Sequence, residues 1–270
     1  MDWARIMVPL SGGEGDSALA AHAVAVARAF DAELALVHAP ADVADLMPWI
    51  GDGFMGGVQA SAVDSIRDAA ASGKAAAEAT MASLGYAKSS FTSLTSPVLA
   101  ALAMEGRLAD LVVFDATAAR GKGPLSEAFQ QIVADEQRPT LVVRGEVDVT
   151  GIVAVAWDGG KEASRAARTA LPILQKAREV VVLAACGASS RKFDPARLET
   201  FLTARGVKAR VHKIEEKGEA GPLILSAAQA VDANLLVAGA FGHTRLQEYI
   251  FGGTTRTLLN SETPSLFLSH

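Results

Sequence analysis

Two pairs of short stretches decide the reading: Asp110–Phe114 (DLVVF) with Asn234–Ala238 (NLLVA), and Arg138–Val143 (RPTLVV) with Thr263–Leu268 (TPSLFL). Each pair repeats one apolar run in a matching place, so the chain reads as one unit written twice. Outward from these runs, strands and helices alternate. In the first half the strands are read at Arg5–Leu10, Glu33–His38, Ser90–Leu94, Leu111–Phe114 and Thr140–Arg144. Helices are read at Ser17–Phe30, Val58–Leu84, Pro97–Leu108 and Ser126–Asp135, where apolar residues recur at helical spacing. The order then restarts. Strands are read at Gly151–Trp157, Val180–Ala185, Lys208–Ile214, Leu235–Ala238 and Ser265–Ser269, with helices at Glu162–Ala177, Pro195–Arg205, Gly221–Val231 and Gly253–Leu259. The strands are short continuous apolar runs rather than alternating ones. That pattern belongs to a parallel sheet covered by helices on both faces, an α/β architecture. Gly145–Thr150 (GEVDVT) is polar and links the halves. The expectation is therefore two tandem domains, 1–148 and 149–270, with one large doubly wound sheet as the alternative.

Composition narrows the function. Of the 270 residues, 50% are hydrophobic and 20% charged, the balance of a globular protein with a buried core. The formal net charge of -5 argues against nucleic acid as a main partner, because phosphate backbones select basic surfaces. It leaves a nucleotide open, since that needs only a local site. The lone Cys186 excludes a disulfide framework within the chain and a multi-thiolate zinc site, and it reads as a small core residue. The opening MDWARIMVPL has no signal-peptide pattern, and no apolar run reaches membrane-spanning length. A cytoplasmic protein with no membrane partner is expected.

The stretch with chemical content is Leu235–Thr257, LLVAGAFGHTRLQEYIFGGTTRT. A buried strand ends at Ala238-Gly239. Gly242 follows after two residues and Gly252 after nine more, and Gly252-Gly253-Thr254-Thr255 opens a helix. Glycines at a strand end admit close approach to the backbone. A helix start offers unpaired N–H groups and the positive end of the helix dipole, which suit phosphate. The threonine hydroxyls add possible donors. Ligands of open parallel sheets bind at the C-terminal strand ends, where this loop falls. As a bare connection, the same glycines would only shape a tight turn.

This G-x2-G-x9-G spacing resembles the nucleotide-binding signature of the universal stress protein family, and the resemblance spans nearly the whole chain as two tandem domains. It implies in each half a mainly parallel five-stranded sheet of order 3-2-1-4-5 flanked by helices. It implies ATP or another adenine nucleotide as ligand, with Mg only alongside ATP. Asp158 would then meet the adenine and ribose side, and the backbone of Ala185 would read adenine. Ala238, Gly239, Gly242 and His243 would line the nucleotide, and Gly252, Gly253, Thr254 and Thr255 would cradle phosphates. The resemblance further implies that Thr140–Arg144 and Ser265–Ser269 pair across the halves as an intramolecular pseudo-dimer; a homodimer is also open. In one respect the chain departs from the family. Gly253 stands where the pattern has Ser or Thr directly after the third glycine, so one hydroxyl contact is lost or moves to Thr254.

The first half lacks these features. Asp115-Ala116-Thr117-Ala118 replaces the glycine loop, Ser11 stands where Asp158 stands in the second half, and Ser126-Glu127 replaces the Gly-Gly helix opening. Nucleotide is expected in the second half only. Ser11–Ser17 (SGGEGDS) resembles the pyrophosphate loop of ATP pyrophosphatases with one residue inserted, which spoils its nest of amides. It reads instead as a Gly-rich turn in which Asp16 or Ser17 caps the next helix.

No catalytic residue is assigned. A regulatory or binding module is expected, against a weak nucleotide hydrolase built on Asp158 and His243, and against an interaction module without a small ligand. Arg245 and Arg256 either neutralise phosphate or lie solvated. His38, His212 and His270 have no metal-ligand spacing around them. Pro40–Gly57, with Met47, Trp49, Phe54 and Met55, is read either as a lid or interaction surface or as a loop packed on its own domain.

Overall fold

The structure, a computed structural model, describes residues 2–40, 56–94, 97–186, 194–215, 217–240 and 252–270. Side chains at 56–60, at 62 and at Cys186 are outside that description, as are Met47, Trp49, Phe54 and Met55 of the Pro40–Gly57 segment. In the first half the strands are β1 (Arg5–Leu10), β2 (Glu33–His38), β3 (Ser89–Ser93), β4 (Leu111–Asp115) and β5 (Thr140–Val143). In the second they are β6 (Ile152–Trp157), β7 (Glu179–Cys186), β8 (Ala209–Glu215), β9 (Leu235–Gly239) and β10 (Ser265–Ser269). All join in one ten-stranded sheet of order β3-β2-β1-β4-β5-β10-β9-β6-β7-β8. The expected pairing of the last strands, β5 with β10, joins the two sets into this single continuous sheet. Within it each half supplies five adjacent strands in matching order. Every neighbouring pair is parallel except β5 with β10, where Leu141 stands opposite Phe267. The α/β class and the mainly parallel sheet are borne out.

The continuous apolar runs have a simple cause. Successive side chains of a strand point to opposite faces, and here both faces are covered. Ile6, Val8 and Leu10 enter one core while Met7 enters the other. Likewise Val180 and Val182 face one core, Val181 and Leu183 the other. The first face is covered by α1 (Asp16–Phe30), α2 (Gly56–Ser83), α6 (Lys161–Thr169), α7 (Leu171–Lys176) and α8 (Ala196–Thr203). The second carries α3 (Val98–Gly106), α4 (Ala116–Ala119), α5 (Ser126–Gln130), α9 (Ala220–Ala230) and α10 (Gly253–Asn260).

Three helices differ from the sequence reading. The expected Glu162–Ala177 helix is two, α6 and α7, broken at Ala170 with Pro172 in the first turn of the second. Proline has no N–H to continue the upstream ladder but fits a helix start. The expected Ser126–Asp135 helix widens after Gln130 into one π turn, Gln131–Asp135. Helix α4 has no counterpart in the sequence reading; it is only four residues long, below the length at which periodicity is readable.

The seam between the halves is a packed core. Trp3 stacks on Phe267 at 6.0 Å and 7° and meets Phe30 at 4.6 Å. Lys176 Nζ, from the second half, lies 4.8 Å from the Phe30 ring centroid. The linker residues Val147 and Val149 are buried in the same core. Phe267 is fully buried, so Phe267→Ala is expected to destabilise the protein by about 3–5 kcal/mol. Urea unfolding followed by tryptophan fluorescence measures this, and a loss below about 1 kcal/mol would contradict a seam built on that ring.

Candidate functional site

In a sheet of this order, the connections leaving β1 and β3 run in opposite directions, and so do those leaving β6 and β8. A crevice therefore opens between the C-terminal ends of β1 and β4, and a second between those of β6 and β9. The two crevices differ in what fills them.

In the first crevice the chain supplies its own anion. Just beyond β1, the Ser11 N–H donates to Asp16 Oδ1 (3.1 Å) and the Gly12 N–H to Asp16 Oδ2 (2.7 Å). The Ser11 hydroxyl also donates to Asp16 Oδ1 (3.0 Å), and its oxygen accepts from the Gly13 N–H (3.1 Å). Asp16 is 4% exposed. The expected cap is therefore corrected: the N-cap of α1 is Gly15, with no side-chain cap bond, and the Asp16 carboxylate closes the turn ahead of the helix. The turn suits this because successive amides converge on one point, where a carboxylate satisfies several at once.

Helix α2 covers this turn. Gly12 has φ +79°, and a Cβ there would stand 2.5 Å from Gly73 Cα, so two glycines meet where no side chain fits. Gly73, Ala77 and Thr80 share one face of α2, with Thr80 Oγ1 3.2 Å from Ser17 Oγ. Buried below them, His38 places Nδ1 3.3 Å from Ser93 Oγ. At the end of β4, the Asp115 carboxylate accepts from the Ala118 N–H (2.9 Å) and caps α4.

The second crevice is arranged otherwise. Asp158, beyond β6, is exposed, and its Oδ1 accepts from the Gly160 N–H (2.7 Å). A Cβ on Gly160 would come within 2.9 Å of that oxygen. Ala185 is exposed at the end of β7, while Ala238 is buried in β9. Gly239 serves packing. A Cβ there would stand 2.6 Å from the Glu162 carbonyl carbon and 2.7 Å from Ala163 N, so the first turn of α6 rests on it. Gly242, His243 and Arg245 lie outside the described residues.

At the start of α10 the backbone is open. Gly252, Gly253 and Thr254 are exposed, and a Cβ on either glycine meets nothing within 4 Å among the described residues. The N-cap, Gly252, brings no side-chain cap bond. The first N–H groups of α10 thus lack the acceptor that a Ser or Asp cap would supply. Thr255 is 7% exposed and turned inward, and Arg256 is exposed.

Sequence reasoning missed Arg144. It directly follows β5 and inserts into the second half, where burial and the nearby Arg120 push its pKa down to about 10, against the pull of Glu262, so it stays charged at neutral pH. Its only sequence signal was a charge closing an apolar run. A cavity of about 550 Å3 lies at the seam, lined by Asp110, Asp135, Arg138, Arg165 and Ser269 among others, and Ser269 is the register partner of Gly239. Among the described residues no group of His, Cys, Asp or Glu could hold a metal, and no helix is long and apolar enough to cross a membrane.

Residues 187–266, in the second half, match the family model described as Universal stress protein family. Over the whole chain the fold is similar to that of a universal stress protein from Archaeoglobus fulgidus, with TM-score 0.66, 13% identity, and coverage of 98% of this chain and 95% of that one. It is also similar to a functionally unknown protein from Pseudomonas aeruginosa, with TM-score 0.58, 16% identity, and coverage of 99% and 92%. No curated protein matches the chain.

Two measurements check the first crevice. Asp16→Ala removes the acceptor of two partly buried amides and should cost about 1–3 kcal/mol in chemical denaturation. His38 has a pKa below its ordinary 6.5, mainly through burial, with Asp16 opposing and Lys74 assisting. The unfolded chain therefore takes up the proton first on acidification. The stabilising effect of neutral His38 is complete above 6.5 and is lost as pH falls below that value toward the folded pKa. Unfolding midpoints recorded across this window should decline for the wild type, and His38→Gln should lack that part of the decline.

Proposed function

We propose that the chain is a tandem universal stress protein of the cytoplasm, a regulatory binding module that holds an adenine nucleotide in its second half. Residues 1–148 form a degenerate domain and 149–270 the binding domain. One contrast carries the reading. The Ser11 and Gly12 amides and the start of α4 are met by the carboxylates of Asp16 and Asp115, whereas α10 opens on Gly252 and Gly253 with free space about both among the described residues. A phosphate group supplies the acceptors that this helix start lacks. Gly253, the departure from the family pattern, removes a hydroxyl but leaves its N–H in place. Asp158 and the backbone of Ala185 stand at neighbouring strand ends, where a base and ribose would lie. Any Mg²⁺ would arrive with ATP, held chiefly by phosphate oxygens and water.

Calorimetric titration with ATP tests this, with one site per chain as the expected result. Gly253→Asp is the informative variant. A carboxylate there favours the helix through its dipole yet repels phosphate, so ATP affinity should fall at least about tenfold without loss of stability. Asp16→Ala should leave the binding heat unchanged. No heat from the wild type, or equal binding by Gly253→Asp, would refute the assignment.

A further inference from the structure

Arg144 belongs to the first half, yet its guanidinium is spent on the second. Nη1 donates to Ser261 Oγ and to the Pro264 carbonyl, both at 2.8 Å. Nη2 donates to the carbonyls of Leu258 (2.6 Å) and Leu259 (3.1 Å) in the last turn of α10. Beside it, Arg120 Nη2 donates to the Ser261 carbonyl and to Glu262 Oε1, each at 2.9 Å. Two cations from one half thus hold the C-terminal end of the helix whose other end is Gly252–Thr255.

We propose that Arg144 is a positioning residue for phosphate binding: the first half clasps α10 by its C-terminal carbonyls and so fixes where its open N-terminus stands. The proposal rests on the nucleotide reading above. Helix α10 has eight residues, about 12 Å of length, so it moves as one rigid piece. A cation at its negative end and an anion at its positive end act on the same aligned peptide dipoles. The planar fork of arginine sets direction as well as charge, reaching three carbonyls and one hydroxyl at once, which lysine cannot do. The coupling runs one way. The last strands match residue for residue, and Ser269 stands where Arg144 stands in the first half. A serine makes no such clasp. The half without an open crevice therefore keeps a role, which is to hold the phosphate helix of the other.

The test compares ATP with adenosine, which lacks the phosphates, in calorimetric titrations of the full chain. In Arg144→Met, ATP affinity should fall about tenfold, the size of a partly buried charge–dipole contact, while adenosine affinity changes less than about twofold. Arg144→Lys should lie close to Arg144→Met. Ser261→Ala removes one acceptor and keeps the arginine, so it tests the clasp in a fold left intact, with a loss of about twofold for ATP alone. An ATP-to-adenosine ratio equal to wild type in Ser261→Ala and in every Arg144 variant that folds overturns the proposal. Equal losses for both ligands overturn it too, since they mark a general structural effect. A wild type that does not prefer ATP over adenosine overturns instead the nucleotide reading beneath it.

Discussion

A five-stranded parallel set ends at β5 with a row of backbone donors and acceptors that need partners, and the equivalent strand β10 faces the same requirement. Their antiparallel pairing answers both at once, and much of the molecule's geometry follows from it. Because the pair is antiparallel while all other pairs are parallel, the halves are related by a turn about a line through the sheet. Helices of both halves then remain on matching faces and build two cores that run across the seam. The strand ends, by contrast, point to opposite edges, so the two crevices lie at opposite ends of the sheet. Trp3, Phe30, Phe267 and Lys176 consolidate one face of this junction.

On that common frame the two crevices solve one electrostatic problem differently. Turns and helix starts at the C-terminal strand ends leave N–H groups in search of acceptors. In the first half, Asp16 provides them for the turn after β1 and Asp115 for the start of α4, and the meeting of Gly12 with Gly73 lets α2 close over the turn. In the second half the start of α10 has no such internal acceptor among the described residues. The glycines there also differ among themselves. Gly239 and Gly160 are required by close approach of α6 and of the Asp158 carboxylate, whereas a Cβ on Gly252 or Gly253 would meet nothing among the described residues.

The seam also ties the first half to α10. Arg144 sits at the end of the strand that closes the first half, and its bonds reach the far end of the helix that opens the second crevice. The strand that completes the sheet thereby leads directly into the residue that holds α10, so the sheet edge and this helix meet at Arg144.

The sequence by itself determined the repeat, the α/β class and most element positions, because apolar runs of strand length and helical periodicity are local signals carried by neighbouring residues. It also marked the inequality of the halves, through glycines present at Gly239–Gly253 and absent at Asp115–Ala118. Tertiary structure decided what each group touches. That the carboxylate of Asp16 closes a turn rather than caps a helix depends on amides converging in space. That Gly239 carries α6 depends on a helix far from it in sequence. The clasp of Arg144 on α10 joins residues more than a hundred positions apart, and only the pairing of β5 with β10 brings them together. Local patterns record which face of an element is apolar; which partner meets that face is set by the fold.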